Sequence, residues 1–236
     1  MPKADVWFYR WAAIPCELRQ GRPLVVRELR AAAEYKTSVC LPNERLGDGL
    51  DFQPVFPEKN LWLALLVTTF SHGSLLHLLG NMYFLFVVGN DVEDRLGHAR
   101  FLVLYLLAGA GALGLHTAVN PSATIPAVGA SGAVAGVIGA YLVFFPYSRM
   151  LTLWTLPLPL LMYLPAFVSL GFWFVVQFTP LVGAFVAKYA HIGGFVVGAI
   201  GGPLLGLTVL EGKPRKAPKA PVYLNPPRYA PSRARI

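Results

Sequence analysis

Four stretches of this chain, residues 60–90, 101–147, 150–187 and 189–210, contain no Asp, Glu, Lys or Arg. A hydrocarbon core of ~30 Å takes about 20 such residues per helix, so each stretch can supply a membrane span. Composition agrees: 55% of the 236 residues are hydrophobic, 14% are charged, and the mean hydropathy is +0.53, which excludes an ordinary soluble domain. The fold class that follows is all-α, a polytopic helical membrane bundle.

Five spans are expected, at roughly 61–89, 101–119, 130–145, 163–179 and 184–208. A single helix over 150–179 would run ~45 Å, but Pro157 and Pro159 interrupt it. The fourth span therefore starts near Pro165, and 147–162 is expected to lie at the cytoplasmic interface. Orientation follows from the loops. With the N-terminus outside, Arg95, Arg100, Arg149 and the basic tail all fall inside, while 120–129 and 180–183 carry no basic residue.

The same reasoning divides the chain into three parts. Residues 1–60 are an extracytoplasmic N-terminal and loop segment, with eight acidic and eight basic side chains in residues 1–58. Residues 61–210 form the transmembrane domain. Residues 211–236 are a disordered basic cytoplasmic tail holding Lys213, Arg215, Lys216, Lys219, Arg228, Arg233 and Arg235 against Glu211 alone, suited to anionic lipid. The net charge of +8 does not point to nucleic acid, because the basic residues have no aromatic or amphipathic platform. Residues 1–20 hold no continuous apolar segment of the signal-peptide kind. Cys16 and Cys40 both fall in the polar N-terminal part, where a disulfide forms only if the fold brings them together.

The third span is too short to cross. Fifteen residues from Ser131 to Phe145 make about 22 Å of helix. The preceding 120–129 segment should therefore enter the membrane as irregular backbone, which is tolerated only beside protein or a wet cavity.

At that submerged helix start stands Gly129-Ala130-Ser131-Gly132. A serine in a first helical turn lies near unpaired N–H groups and the positive end of the helix dipole, which suits an oxyanion; it serves equally as a cap or a small packing residue. It is not the Gly-x-Ser-x-Gly elbow of soluble hydrolases, since residue 133 is Ala. The histidines within membrane reach are His72, His77, His116 and His191. His191 opens a run in which Gly194, Gly198 and Gly202 follow on one face, and Gly132, Gly136 and Gly139 lie near the face of Ser131. Two such glycine faces let backbones approach closely enough for a Ser–His hydrogen bond. The bland alternative is that His191 bonds a neighbouring carbonyl.

His77 and Asn81, four residues apart, share a face and can aim two donors into one site, or Asn81 can merely bridge helices. No Asp or Glu lies in any expected span, so a serine hydrolase here would use a dyad. A zinc protease helix of the His-Glu-x-x-His kind is absent, and no carboxylate or thiolate lies at membrane depth, so neither a metal nor another cofactor is expected. A transporter built on the broken third helix is a further possibility, set back by the lack of an internal repeat or an intramembrane charge.

Together these residues resemble the rhomboid family of intramembrane serine proteases. The likeness runs from about Trp62 to Gly202 through His72, His77-x-x-x-Asn81, Glu93-Asp94-Arg95-Leu96-Gly97, Gly129-x-Ser131-Gly132, Ala190-His191 and Gly194-x-x-x-Gly198. It implies Ser131 as nucleophile and His191 as general base, with His77, Asn81 and the Ser131 N–H as oxyanion-stabilising groups. It also implies a structural charge cluster at Glu93 and Arg95, and a membrane-dipping first loop around Tyr9-Arg10-Trp11. The implied substrates are single-span membrane proteins, met within the lipid bilayer of the cell membrane.

The sequence departs from the family pattern at Ala135, where some members place an aromatic ring against the catalytic histidine. The family normally has a further helix before the first loop, so the expectation is either an apolar helix encoded upstream of Met1 or a five-span form. A catalytically silent relative that binds membrane clients is the alternative function.

Overall fold

A computed structural model describes residues 3–35, 39–43, 46–154, 159–179 and 187–207. The expected tail at 211–236, the loop at 180–183 and the first residues of the expected 184–208 span lie outside the described residues.

The polar N-terminal part is folded. It comprises α1 (Lys3–Trp11), α2 (Pro15–Gln20), α3 (Val26–Tyr35) and a 3-10 turn at Leu50–Phe52. Its centre is the fully buried Glu28. Arg22 donates to Glu28 through Nη1 at 2.9 Å and Nη2 at 3.0 Å, and the Val25 and Leu41 amides donate at 2.9 and 2.7 Å. A buried carboxylate is stable only when its lone pairs are used in this way. Cys16 and Cys40 are joined as a disulfide beside this hub. A second buried pair, Lys59 with Glu17 at 2.5 Å, fastens the segment to the start of the transmembrane domain. Burial pushes the Glu17 carboxyl up and the Lys59 ammonium down, and each one's charge opposes the other's shift.

The expected first span at 61–89 is corrected. The apolar run breaks into α4 (Leu61–Phe70) and α5 (Leu75–Phe84). Asn60 caps α4 by accepting from the Trp62 and Leu63 amides, both at 3.0 Å, and Ser74 caps α5 by accepting from the His77 amide at 3.1 Å. A Ser-His-Gly-Ser stretch offers its own capping oxygen, so a new helix starts at Leu75 instead of continuing the old one. Ten residues of α4 span ~15 Å and cannot cross a bilayer. From Leu75 the helix passes through a π-turn at Leu85–Gly89 into α6 (Asn90–Leu96), and the 22 residues Leu75–Leu96 are long and apolar enough to cross.

Gly97, at φ 82°, turns the chain into α7 (His98–Val119). His98 Nδ1 lies 2.6 Å from Glu93 Oε1, and the Arg95 guanidinium stacks 5.4 Å from the Phe144 ring centroid. Glu93 and Arg95 are each engaged at this turn, the one by His98 and the other by the Phe144 ring.

The central helix is α8 (Ser131–Phe144), buried at every residue from Gly132 to Tyr141. The expected interfacial stretch at 147–162 folds as an antiparallel hairpin of β1 (Arg149–Trp154) and β2 (Leu160–Pro165), a local exception to the all-α expectation. Thr152 and Tyr163 suit strands, and Pro159 stands just before β2, outside the paired residues. Next come α9 (Ala166–Val176), starting beside Pro165 as expected, and α10 (Lys188–Leu207).

The helices α7, α8 and α10 form one block whose contacts are made by glycine. A Cβ on Gly194 would run into the Gly132 carbonyl oxygen, one on Gly198 into that of Gly136, and one on Gly136 would lie 2.9 Å from Gly194 O. A Cβ on Gly193 would lie 2.7 Å from Gly111 O in α7. These are backbone-to-backbone approaches that no larger residue permits.

Candidate active site

Ser131 is the first residue of α8, and His191 lies in the first turn of the described α10. The glycine contacts bring these helix ends together: a Cβ on Gly132 would lie 3.5 Å from the carbonyl oxygen of Ala190. The two glycine faces expected from the sequence therefore meet. Among the described residues, no hydrogen bond joins the Ser131 hydroxyl to His191. Catalytic hydrogen bonds often close only when substrate is bound.

The 120–129 segment has irregular backbone held by protein, as expected. The Cys16 amide donates to Ala123 O at 3.0 Å, and the Ala127 amide donates to Ala13 O at 2.8 Å. Thr68 of α4 acts three times: its hydroxyl donates to Ala127 O at 3.1 Å and accepts from the Ala13 amide at 2.7 Å, and its carbonyl accepts from the Gly129 amide at 3.2 Å. Buried backbone groups that would otherwise be orphaned are thereby paired.

Gly129, at φ 140°, lets the chain turn into α8 where the His77 ring approaches. A Cβ at residue 129 would lie 2.7 Å from His77 Cε1, 3.2 Å from His77 Nε2 and 3.4 Å from Ser131 Oγ. His77 and Ser131 thus flank one small space across Gly129. His72 packs edge-to-face on His77, with ring centroids 5.4 Å apart. Asn81, one turn along α5 from His77, is buried, and its Nδ2 has no hydrogen-bond partner among the described residues. A buried donor left without a partner costs about 1–3 kcal/mol.

A cavity of about 40 Å³ adjoins the helix start. Its lining includes Ser131, Gly129, Thr68, Thr69, His116 and Ala190. That volume has room for about two or three waters, and the Thr and His side chains offer them partners.

Two residues at the site escaped the sequence reading. Gln177 Oε1 lies 3.1 Å from His191 Nδ1, and the Trp173 ring centroid lies 5.8 Å from that of His191. The available signal was Gln177 itself, a lone amide in an otherwise apolar span. His191 is therefore supported from α9, which accounts for how it is held although residue 135 is Ala.

These features define a multi-pass helical membrane protein in which Ser131 starts a buried helix, the His77 ring faces it across Gly129, and His191 stands at the adjoining end of α10. The Rhomboid domain family model matches residues 59–208, and the chain belongs to the rhomboid family. It is 32% identical over 162 residues to RHOMBOID-like protein 6, mitochondrial, of Arabidopsis thaliana, covering 66% of this chain and 47% of that one. It is 33% identical over 161 residues to RHOMBOID-like protein 5 of the same plant, covering 67% and 47%. It is 33% identical over 146 residues to Rhomboid protease GluP of Bacillus subtilis (strain 168), covering 62% and 26%. The match thus spans about a quarter to a half of the length of these relatives.

Proposed function

We propose that the chain is an intramembrane serine endopeptidase that cleaves single-span membrane proteins with a Ser131–His191 dyad. The observation that carries this reading is the glycine-mediated contact of α8 with α10, in which the helix end bearing Ser131 adjoins the helix end bearing His191. Membership of a family that includes a named protease supports it further.

In this mechanism His191 accepts the Ser131 proton as Oγ attacks the scissile carbonyl of a locally unwound substrate segment. The resulting oxyanion is held by the Ser131 N–H with the His77 and Asn81 side chains, and the unsatisfied Asn81 Nδ2 suits that task. The tetrahedral adduct collapses as His191 returns its proton to the leaving amine. A water then attacks the acyl-enzyme as His191 takes its proton, and His191 returns that proton to Ser131 Oγ as the Oγ–acyl bond breaks and the new C-terminal carboxyl leaves.

Residues 61–210 constitute the protease domain, residues 1–60 lie outside the membrane on the extracytoplasmic face, and the 211–236 tail lies in the cytoplasm. Cys40, the partly exposed member of the pair, should then react after disulfide reduction with an impermeant thiol reagent in intact cells; its protection until lysis would reverse the orientation.

The test of function is cleavage of a single-span substrate in detergent. The unaltered protein should cut it, Ser131→Ala and His191→Ala should each abolish cutting, and the double variant should be no worse than either. Undiminished cleavage by Ser131→Ala would refute the reading. No cleavage by the unaltered protein of any of a panel of such substrates would favour the client-binding alternative.

A further inference from the structure

Gln177, at the C-terminal end of α9, is only 4% exposed, and its side chain makes two hydrogen bonds. Its Nε2 donates to the Trp173 carbonyl one turn earlier, at 3.2 Å. That bond settles which end of the amide is which, because only the NH₂ group can donate to a carbonyl. The oxygen, Oε1, is therefore the atom 3.1 Å from His191 Nδ1. A carbonyl oxygen can only accept, so Nδ1 carries the hydrogen and Nε2 keeps the lone pair. A general base needs that tautomer if Nε2 is to receive a proton. Trp173, on the same face of α9, lies against the imidazole and limits its rotation.

We propose that Gln177 is the positioning residue of His191, selecting its Nδ1–H tautomer and fixing the ring so that Nε2 serves Ser131. The proposal rests on the Ser131–His191 reading. A neutral amide supplies the orienting contact that a carboxylate supplies in soluble triads, without placing a charge within a span. The site then works as Ser131–His191–Gln177, with the third member contributed by α9 instead of the glycine-packed block.

The test uses the whole chain with Gln177→Leu, Gln177→Asn and Gln177→Glu. Leu removes the acceptor, and Asn keeps an amide but withdraws it by one carbon, so both should lower kcat about 10- to 100-fold with KM little changed. Glu restores an acceptor at the right reach and should recover most of the lost turnover relative to Leu. The second readout is the nitrogen resonances of His191, recorded above its titration in a Ser131→Ala background. The Nδ1–H form should predominate with Gln177, and Gln177→Leu should give a tautomer mixture. Wild-type kcat in Gln177→Asn, or the same tautomer ratio with and without Gln177, would overturn the proposal. Because the tautomer is read without proteolysis, it stands apart from the dyad reading: a Ser131→Ala protein that still cleaves would defeat the dyad, whereas an unchanged tautomer would defeat Gln177 alone.

Discussion

Glycines in α8 and α10 and glycines in α5 and α9 look alike in the sequence, yet they meet opposite surroundings. Gly132, Gly136, Gly194 and Gly198 are places where two backbones touch, and any Cβ there would collide. Gly80 in α5 and Gly171 in α9 have nothing within 4 Å of where a Cβ would stand. The proposed nucleophile and base therefore stand on a rigid block whose two halves cannot shift independently. The proposed oxyanion residues on α5, and Gln177 with Trp173 on α9, come from helices held to that block by side chains. Changes in the block should act on folding, and changes on the flanking helices should act on rate.

The harshest probe of this contrast is Gly198→Val, which drives a side chain into the Gly136 carbonyl. It should cost more than about 3 kcal/mol, beyond the usual range for overpacking, and thermal unfolding in detergent should show little or no folded protein. A native melting curve would mean that the α8–α10 contact adjusts. Next is the disulfide, which closes a loop of 24 residues in sequence separation. Reducing it, or replacing Cys16 with Ser, should cost about 3 kcal/mol locally. Hydrogen exchange should then rise in residues 123–129, which Ala13 and Cys16 hold, and leave α8 and α10 protected. Uniform exposure of all helices would show that the latch and the block unfold as one.

Asn81→Ala should lower turnover by about a hundredfold while the melting temperature stays close to wild type. A drop in stability with unchanged turnover per folded molecule would make Asn81 a helix-bridging residue. The mildest probes are Gly80→Ala and Gly171→Ala, which enter open space on helices. Each should be neutral or stabilise by about 0.5–1 kcal/mol. A large loss at either position would mean that α5 or α9 packs more tightly against a partner than the isolated chain does.

The charge-free runs made the membrane bundle legible, and the short run after Ser131 marked a helix too short to cross, because helix length and bilayer thickness are fixed quantities. The glycine spacing of α8 and α10 was legible for the same reason. The break at Ser71–Ser74 was hidden because the residues around it are uniformly apolar, and capping by Ser74 is a local competition that hydropathy does not register. The hairpin at 149–165 was hidden because short apolar runs do not distinguish strand from helix. Thr68 and Gln177 were missed because each gains its role from a distant backbone or ring, as with the bond from Thr68 to Ala127 across 59 residues.

The central claim is that Ser131 is a nucleophile activated by His191, and covalent labelling by a serine-directed fluorophosphonate addresses it without any choice of substrate. The unaltered protein should be labelled at one residue, identified as Ser131 by peptide mass. Ser131→Ala should take up no label, and His191→Ala should label far more slowly at equal folded concentration. Labelling at another residue, or equal labelling of the His191→Ala protein, would contradict the account.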